Sequence, residues 1–282
     1  MPDFDAQYEA FGASLEHELR CEKLNFPTVL DLSLRIQRIA DDPDASLDDI
    51  AAIARAEPVL SAKAVRLANS LPLNPYGTPV THVGDAIRRI GLDALRSLAF
   101  AVAAEQLTRD LRPGQLKLMA SGLWMHTVDS ASWAQVIARS GRGLHPDAAM
   151  FAGMMVDIGQ FFLLARAAEY PALTQDLERF TDFVTRWHEP VGHAVLKVFA
   201  LPDFILAAYR PIPTQALQWP PTELADILQL AALLTEAPNP FEGRPRSLIS
   251  PTLPEQLDGK ALQDMLRAVK DERRQLLAAL CN

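Results

Sequence analysis

Cysteine is scarce in this chain, which has two, Cys21 and Cys281, near its opposite ends. A single pair so widely separated provides neither a disulfide framework nor the clustered spacing of a zinc motif. It reads as two free thiols in a reducing cytoplasm. Aromatic residues are also few, at 7%, while alanine is abundant. Small side chains of high helix propensity favour helices that pack closely on one another. Positive charge is in deficit, with 27 basic against 35 acidic residues and a net charge of −8. Bulk nucleic-acid binding needs a positive face to neutralise phosphates, so this balance disfavours it and leaves room only for a small basic patch. No apolar run approaches the roughly 20 residues that span a bilayer. The opening Met-Pro-Asp-Phe-Asp-Ala is acidic and lacks the basic-then-apolar form of a signal peptide. The expectation is a cytoplasmic chain with no membrane partner. Sustained apolar–polar alternation and tandem repeats are missing, which argues against strands and repeat arrays.

What is present is apolar mass in helical spacing. At 49% apolar over 282 residues, the chain can bury a core in one large domain or two small ones. Ile50, Ile53 and Ala54, then Leu60, Ala64, Val65 and Leu67, recur at intervals of three and four. Ser46 with Asp49 three residues on resembles a capping box, with aspartate where glutamate is commoner. Val83, Ile87, Ile90, Leu95, Leu98 and Val102 predict two helices joined at Gly91-Leu92-Asp93. Gly91 would end the first and Asp93 cap the second. Pro113-Gly114 marks a turn, and Ser140-Gly141-Arg142-Gly143 a loop. Helices are predicted over 116–139, over 147–168 with Pro146 in the first turn, over 172–186 and over 188–199. A further helix starts near Asp203, one covers 222–236, and a last one covers roughly 255–280. Pro211, Pro213, Pro220 and Pro221 impose an irregular connection, and 237–254 is again rich in proline.

Few constellations offer chemistry. Trp124 and Trp133 share one predicted helix but lie about half a turn apart, which fits packing better than a stacking surface. Met150, Met154 and Met155 fit a helical core better than a partner patch. His188 and His193 are five apart, whereas zinc ligands on a helix want three or four. Asp41-Asp42 and Asp48-Asp49 read as caps and solvated charge rather than a magnesium site. Arg88, Arg89 and Arg96 flank a helix–turn–helix whose apolar surroundings favour core packing with exposed arginines over DNA reading. Ser61, Ser70 and Ser130 lack a glycine-framed nucleophile elbow, and no loop has the lysine and spacing of a P-loop.

One ordered set of segments carries more. It comprises Leu24-Asn25-Phe26-Pro27, Asp42 through Ala51, Glu57 through Ser70 and Val80 through Leu92. It continues with Leu123-Trp124-Met125-His126, Gly153 through Gly159, and Ala200-Leu201-Pro202. In content, order and spacing this set resembles the HDOD domain, a divergent relative of HD-type metal-dependent phosphohydrolases found in bacterial signalling proteins. The resemblance implies an all-α, HD-like multi-helix bundle and a role in signal transduction, often through protein contacts. The expected organisation is an N-terminal helical extension over 1–23, an HDOD-like domain over 24–236, and a proline-rich connection with a C-terminal helix over 237–282.

In HD hydrolases a histidine, a His-Asp pair and a later aspartate hold divalent metal. The metal polarises phosphate and supplies hydroxide near neutrality. By the resemblance, His126 matches the first histidine and Asp157 the paired aspartate. Val156 stands at the paired histidine, and Ala232 at the later aspartate, with Asp226 as a nearby alternative. An isopropyl or methyl group has no electron pair to donate to a cation. The site is therefore expected to be vestigial, with no metal, no cofactor and no catalysis, and with His126 and Asp157 hydrogen-bonded to each other. The leading expectation is a regulatory protein that associates with a signalling partner through that cleft and through an exposed face around Arg88 and Arg96. The alternatives are a phosphohydrolase or phosphodiesterase with unusual metal ligands, and a sensor that holds a nucleotide or other small molecule in the vacated cleft.

Overall fold

A computed structural model describes residues 3–27, 30–70, 73–75, 77–111, 114–141, 144–199, 201, 203–209, 217, 219–242, 257 and 259–280. Cys281, Pro113, Arg142-Gly143, Ala200, Pro202, the 210–216 stretch and most of the proline-rich region, 243–256, lie outside the described residues. Among the described residues all regular structure is helical, as the spacing predicts. The helices are α1 (Phe4–Arg20), α2 (Asp31–Asp41), α3 (Leu47–Arg55), α4 (Pro58–Ala68), α5 (Val83–Ile90), α6 (Leu92–Asp110) and α7 (Gln115–Ala138). They continue with α8 (Pro146–Met155), α9 (Ile158–Ala167), α10 (Leu177–Val198), α11 (Asp203–Leu206), α12 (Leu224–Leu234) and α13 (Gly259–Leu280).

Local signals place several ends where the sequence expects them. Ser46 and Asp49 form the full capping box: Ser46 Oγ accepts from the Asp49 N–H at 3.2 Å, and Asp49 Oδ2 accepts from the Ser46 N–H at 2.9 Å. The Ser46 hydroxyl, which donates to Asp49 Oδ2 at 2.5 Å, and then the Ser46 N–H hold the Asp49 carboxyl below the ordinary aspartate value. Its contribution to stability is complete above that ordinary value and is lost as pH falls through the lowered one. Ser46→Ala is expected to cost about 1 kcal/mol in chemical denaturation at neutral pH.

Gly91 joins α5 to α6 at φ 82°, a left-handed backbone that glycine adopts without strain. Gly91 itself is the N-cap of α6, so the expected cap at Asp93 is not made. The Asp93 carboxylate instead accepts from Arg96 at 2.8 Å.

Three expectations are corrected. The predicted helix over 147–168 is two helices, broken at Val156-Asp157. The predicted pair over 172–186 and 188–199 is a 3₁₀ turn, Pro171–Gln175, followed by the single helix α10. Pro190 sits inside α10 and lacks an N–H for the helix ladder. The helix runs through it because Phe180, Phe183, Val184, Val191 and Val195 form one buried face. Finally, the stretch Pro146–Ala167 does have the length and apolarity of a membrane span, contrary to the sequence expectation. It is α8 and α9 end to end, buried by 83% over its most apolar window, so its apolarity serves the core.

The core centres on α7, which is buried almost continuously from Leu123 to Ala138. Ala131, Ala134 and Ala138 are fully or almost fully buried, which lets α8 approach closely, as the alanine content predicts. Trp124, Trp133, Met150, Met154 and Met155 are all core residues. α12 and α13 also pack on α7, while α9 packs on α10. At that last crossing a Cβ on Gly159 would lie 2.1 Å from the His188 carbonyl oxygen, so the two backbones meet with no room for a side chain. α1 lies against α10 and is pinned to α9 by a buried ion pair, Arg166 Nη1 to both Glu18 oxygens at 3.1 Å.

Candidate functional site

α7 carries the first polar residue of the site. His126, 5% exposed, directs Nδ1 to the Ala237 carbonyl oxygen at 2.7 Å. A carbonyl only accepts, so this assigns the ring proton to Nδ1. Nε2 faces Asp157 Oδ2 at 3.7 Å, which is outside hydrogen-bond reach. The expected direct bond between His126 and Asp157 is therefore replaced. The structure brings the two residues together, but each is bonded to other groups.

The α8–α9 break is what presents Asp157. Residue 157 stands at the N-cap of α9 with φ −95° and ψ 13°, and its side chain makes no cap bond to that helix. The carboxylate instead meets α7, where Oδ2 accepts from Thr127 Oγ1 at 3.0 Å. Val156, one residue earlier, ends α8 and is 40% exposed. Ala232 lies half-buried on α12. Asp226 is committed elsewhere: its Oδ2 accepts from the Thr222 and Glu223 N–H groups at 3.0 and 3.1 Å and caps α12.

A strap leaves α12 and crosses this site. Glu236 and Ala237 donate their N–H groups to Asp129 Oδ2 at 2.9 and 3.1 Å. Asn239, 6% exposed, donates from Nδ2 to Gln160 Oε1 at 3.0 Å and to Asp157 Oδ1 at 3.5 Å. Its Oδ1 accepts from the Phe241 N–H at 2.9 Å, and Phe241 packs edge-on against Phe180. Asp129 Oδ1 accepts from Arg273 of α13 at 3.0 Å. Asp129, Asp157, Gln160 and Asn239 are thus bonded within the chain itself.

This donor set does not fit a catalytic divalent ion. Two of the four expected positions are hydrocarbon, and the two polar ones face the chain's own carbonyl, hydroxyl and amide groups. A catalytic site needs about three protein ligands and an open position. Among the described residues no group of three or more His, Cys, Asp or Glu side chains is placed to hold an ion.

The remaining sequence candidates are likewise engaged. His188 and His193 bond through Nδ1 to backbone carbonyls of their own helix. Asp41 pairs with Arg96 and Gln37, and burial raises its carboxyl above the ordinary value despite those partners. Arg88 pairs with Asp85, and Arg89 donates to the Ala68 and Thr78 carbonyls. The Arg96 side chain is only 14% exposed, so the expected exposed face around Arg88 and Arg96 is reduced to Arg88. Tyr209 donates to the Ala152 carbonyl at 2.9 Å, and burial pushes its phenol upward. A cavity of about 540 Å³ lies elsewhere, between Ala148 of α8, Phe204 of α11 and Ile227 of α12, and neither His126 nor Asp157 borders it.

Sequence reasoning missed Asp129, Asn239 and Arg273. Asp129 left a trace: it follows His126 by three residues, on the same helix face, and is the single acidic residue of α7. Asn239 and Arg273 left none, because their roles depend on how the chain returns to α7.

These features define an all-helical bundle in which, among the described residues, no group of three or more metal-ligating side chains is assembled. The HDOD domain family matches residues 26–211, and the chain belongs to that family. The fold is similar to the "Putative metal-dependent phosphohydrolase" of Shewanella amazonensis SB2B, at 25% identity over 95% of this chain and 99% of that one, with a TM-score of 0.61. It is also similar to an HDOD domain protein of unknown function from Geobacter sulfurreducens, at 24% identity over 99% and 100%, with a TM-score of 0.57. A "Putative signal transduction protein" from Marinobacter aquaeolei VT8 shares 18% identity over 98% of this chain and 66% of that one, with a TM-score of 0.55. The last two likenesses are of fold alone. No curated protein matches the chain.

Proposed function

We propose that this chain is a non-catalytic regulatory protein of bacterial signal transduction, acting in the cytoplasm by association with a signalling partner. The unit that carries the role is residues 24–236, flanked by an extension over 1–23, whose α1 lies against α10, and by a connection and C-terminal helix over 237–282, whose α13 lies against α7. One observation carries the reading. The polar side chains left at the HD positions are taken up by the chain itself: His126 binds the Ala237 carbonyl of the strap, and Asp157 receives Thr127 of α7 and Asn239 of the strap. A fold does not confer activity, which belongs to its site. Here the site's bonding capacity holds the protein's own chain in place, which suits a surface that is rigid or regulated rather than one that turns over substrate.

The test compares wild type with His126→Ala. Metal analysis of the purified chain, with phosphatase and phosphodiesterase assays under added manganese or magnesium, is expected to give no stoichiometric ion. It is also expected to give no turnover that distinguishes the two proteins. Tightly held stoichiometric metal, together with turnover abolished in His126→Ala, would establish the phosphohydrolase reading instead. The strap bonds to His126, Asp157 and Gln160, the polar groups that the sensor reading would offer to a ligand, which favours the regulatory reading.

A further inference from the structure

Asp129 is shared by two elements that follow one another in the chain, the strap and α13. One oxygen accepts from the Glu236 and Ala237 N–H groups at 2.9 and 3.1 Å, and the other from Arg273 Nη1 at 3.0 Å. The residue is 1% exposed, so its charge is balanced by these donors rather than by water. With the guanidinium withdrawn, a buried anion faces two amide dipoles alone. An uncompensated buried charge is strongly destabilising, and lifting the strap to admit water relieves it. Arg273 therefore stabilises the strap through Asp129.

α13 is built as a peripheral helix. Among its described side chains only Met265 and Val269 are buried, and the rest are half-buried or exposed. Its two ion pairs with α7 run in opposite senses on neighbouring residues, Glu272 to Arg139 at 2.8 Å and Arg273 to Asp129 at 3.0 Å, which fixes its register. The strap and α13 meet at Asp129, which binds both, and coupling between them runs through that carboxylate.

We propose that α13 is a releasable latch on α7, and that a partner drawing it away opens the strap and uncovers His126 and Asp157. Such a partner resembles α7 in chemistry: an apolar helix face with a carboxylate for Arg273 and a cation for Glu272. The proposal deepens the regulatory reading above and rests on it only for the existence of a partner.

Hydrogen exchange on the full-length chain tests the latch through Val269→Asp, which unseats α13, and Arg273→Met, which removes only the charge. Both are expected to speed exchange of the 236–241 amides by about tenfold or more, with α9 and α10 unchanged. Arg273→Lys, which keeps the charge, is expected to leave those amides protected. Unchanged strap exchange in either of the first two variants overturns the proposal. So does loss of protection in α9 and α10 along with the strap, because α13 would then belong to the core. Neither metal nor turnover enters this measurement, so failure of the latch and failure of the regulatory reading are seen separately.

Discussion

Gly159→Ala is expected to destabilise the chain by about 3 kcal/mol or more, and Gly192→Ala to be neutral or mildly stabilising, although the two glycines face each other. A Cβ on Gly159 would sit 2.1 Å from the His188 carbonyl oxygen and 2.9 Å from the Gly192 nitrogen. Both obstacles are backbone atoms of α10, so no side chain can swing aside, and α9 and α10 must separate. A Cβ on Gly192 would instead lie 3.6 and 3.7 Å from the Gly159 nitrogen and Cα, which is ordinary contact. Alanine also stabilises a helix interior by roughly 1 kcal/mol relative to glycine. Urea denaturation of the two variants side by side checks the asymmetry. Equal effects would show that the crossing is not as tight as described.

Arg166→Ala is expected to cost about 3–5 kcal/mol, the range for breaking a buried ion pair from one side. Arg166 is 2% exposed, binds both Glu18 oxygens and the Asn25 carbonyl at 3.1 Å, and lies over the Phe11 and Phe162 rings. Its removal leaves the Glu18 carboxylate buried with only Ser14 Oγ and the Asn25 N–H as donors. The double substitution Glu18→Leu with Arg166→Met is expected to recover much of the loss, because neither charge then needs compensation. A double-mutant cycle in denaturant measures the coupling, and additive single effects would show that the pair is not coupled.

The fold was largely legible because local rules and tertiary packing agree over most of its length. The Ser46–Asp49 box and the Gly91 joint follow from turn chemistry that a neighbour does not alter. The break at Val156-Asp157 was not legible, because the apolar pattern from Pro146 to Ala167 is continuous and only the meeting of Asp157 with α7 marks it. The continuity of α10 was hidden for the opposite reason, since Pro190 signals an end that a buried face overrides. At the site, His126 and Asp157 were legible through family resemblance, and the structure places them together. Their bonding was not legible, because Ala237 and Asn239 reach them from about 80 to 110 positions away in the chain. Arg96 was misjudged as surface because its two partners, Asp41 and Asp93, come from separate helices.

The Glu18–Arg166 pair also bears on how the protein is made. Its two halves are 148 positions apart. As the chain emerges from the ribosome, α1 comes out before α9, and its Glu18 must wait for Arg166 until α9 has been synthesised. At roughly 5–20 residues per second that interval lasts on the order of ten seconds. During it Phe11, which is fully enclosed in the finished molecule, lacks its ring partners Tyr170 and Phe183. α1 is thus made before the elements it docks on, and a nascent-chain binding factor would meet its apolar face in that interval.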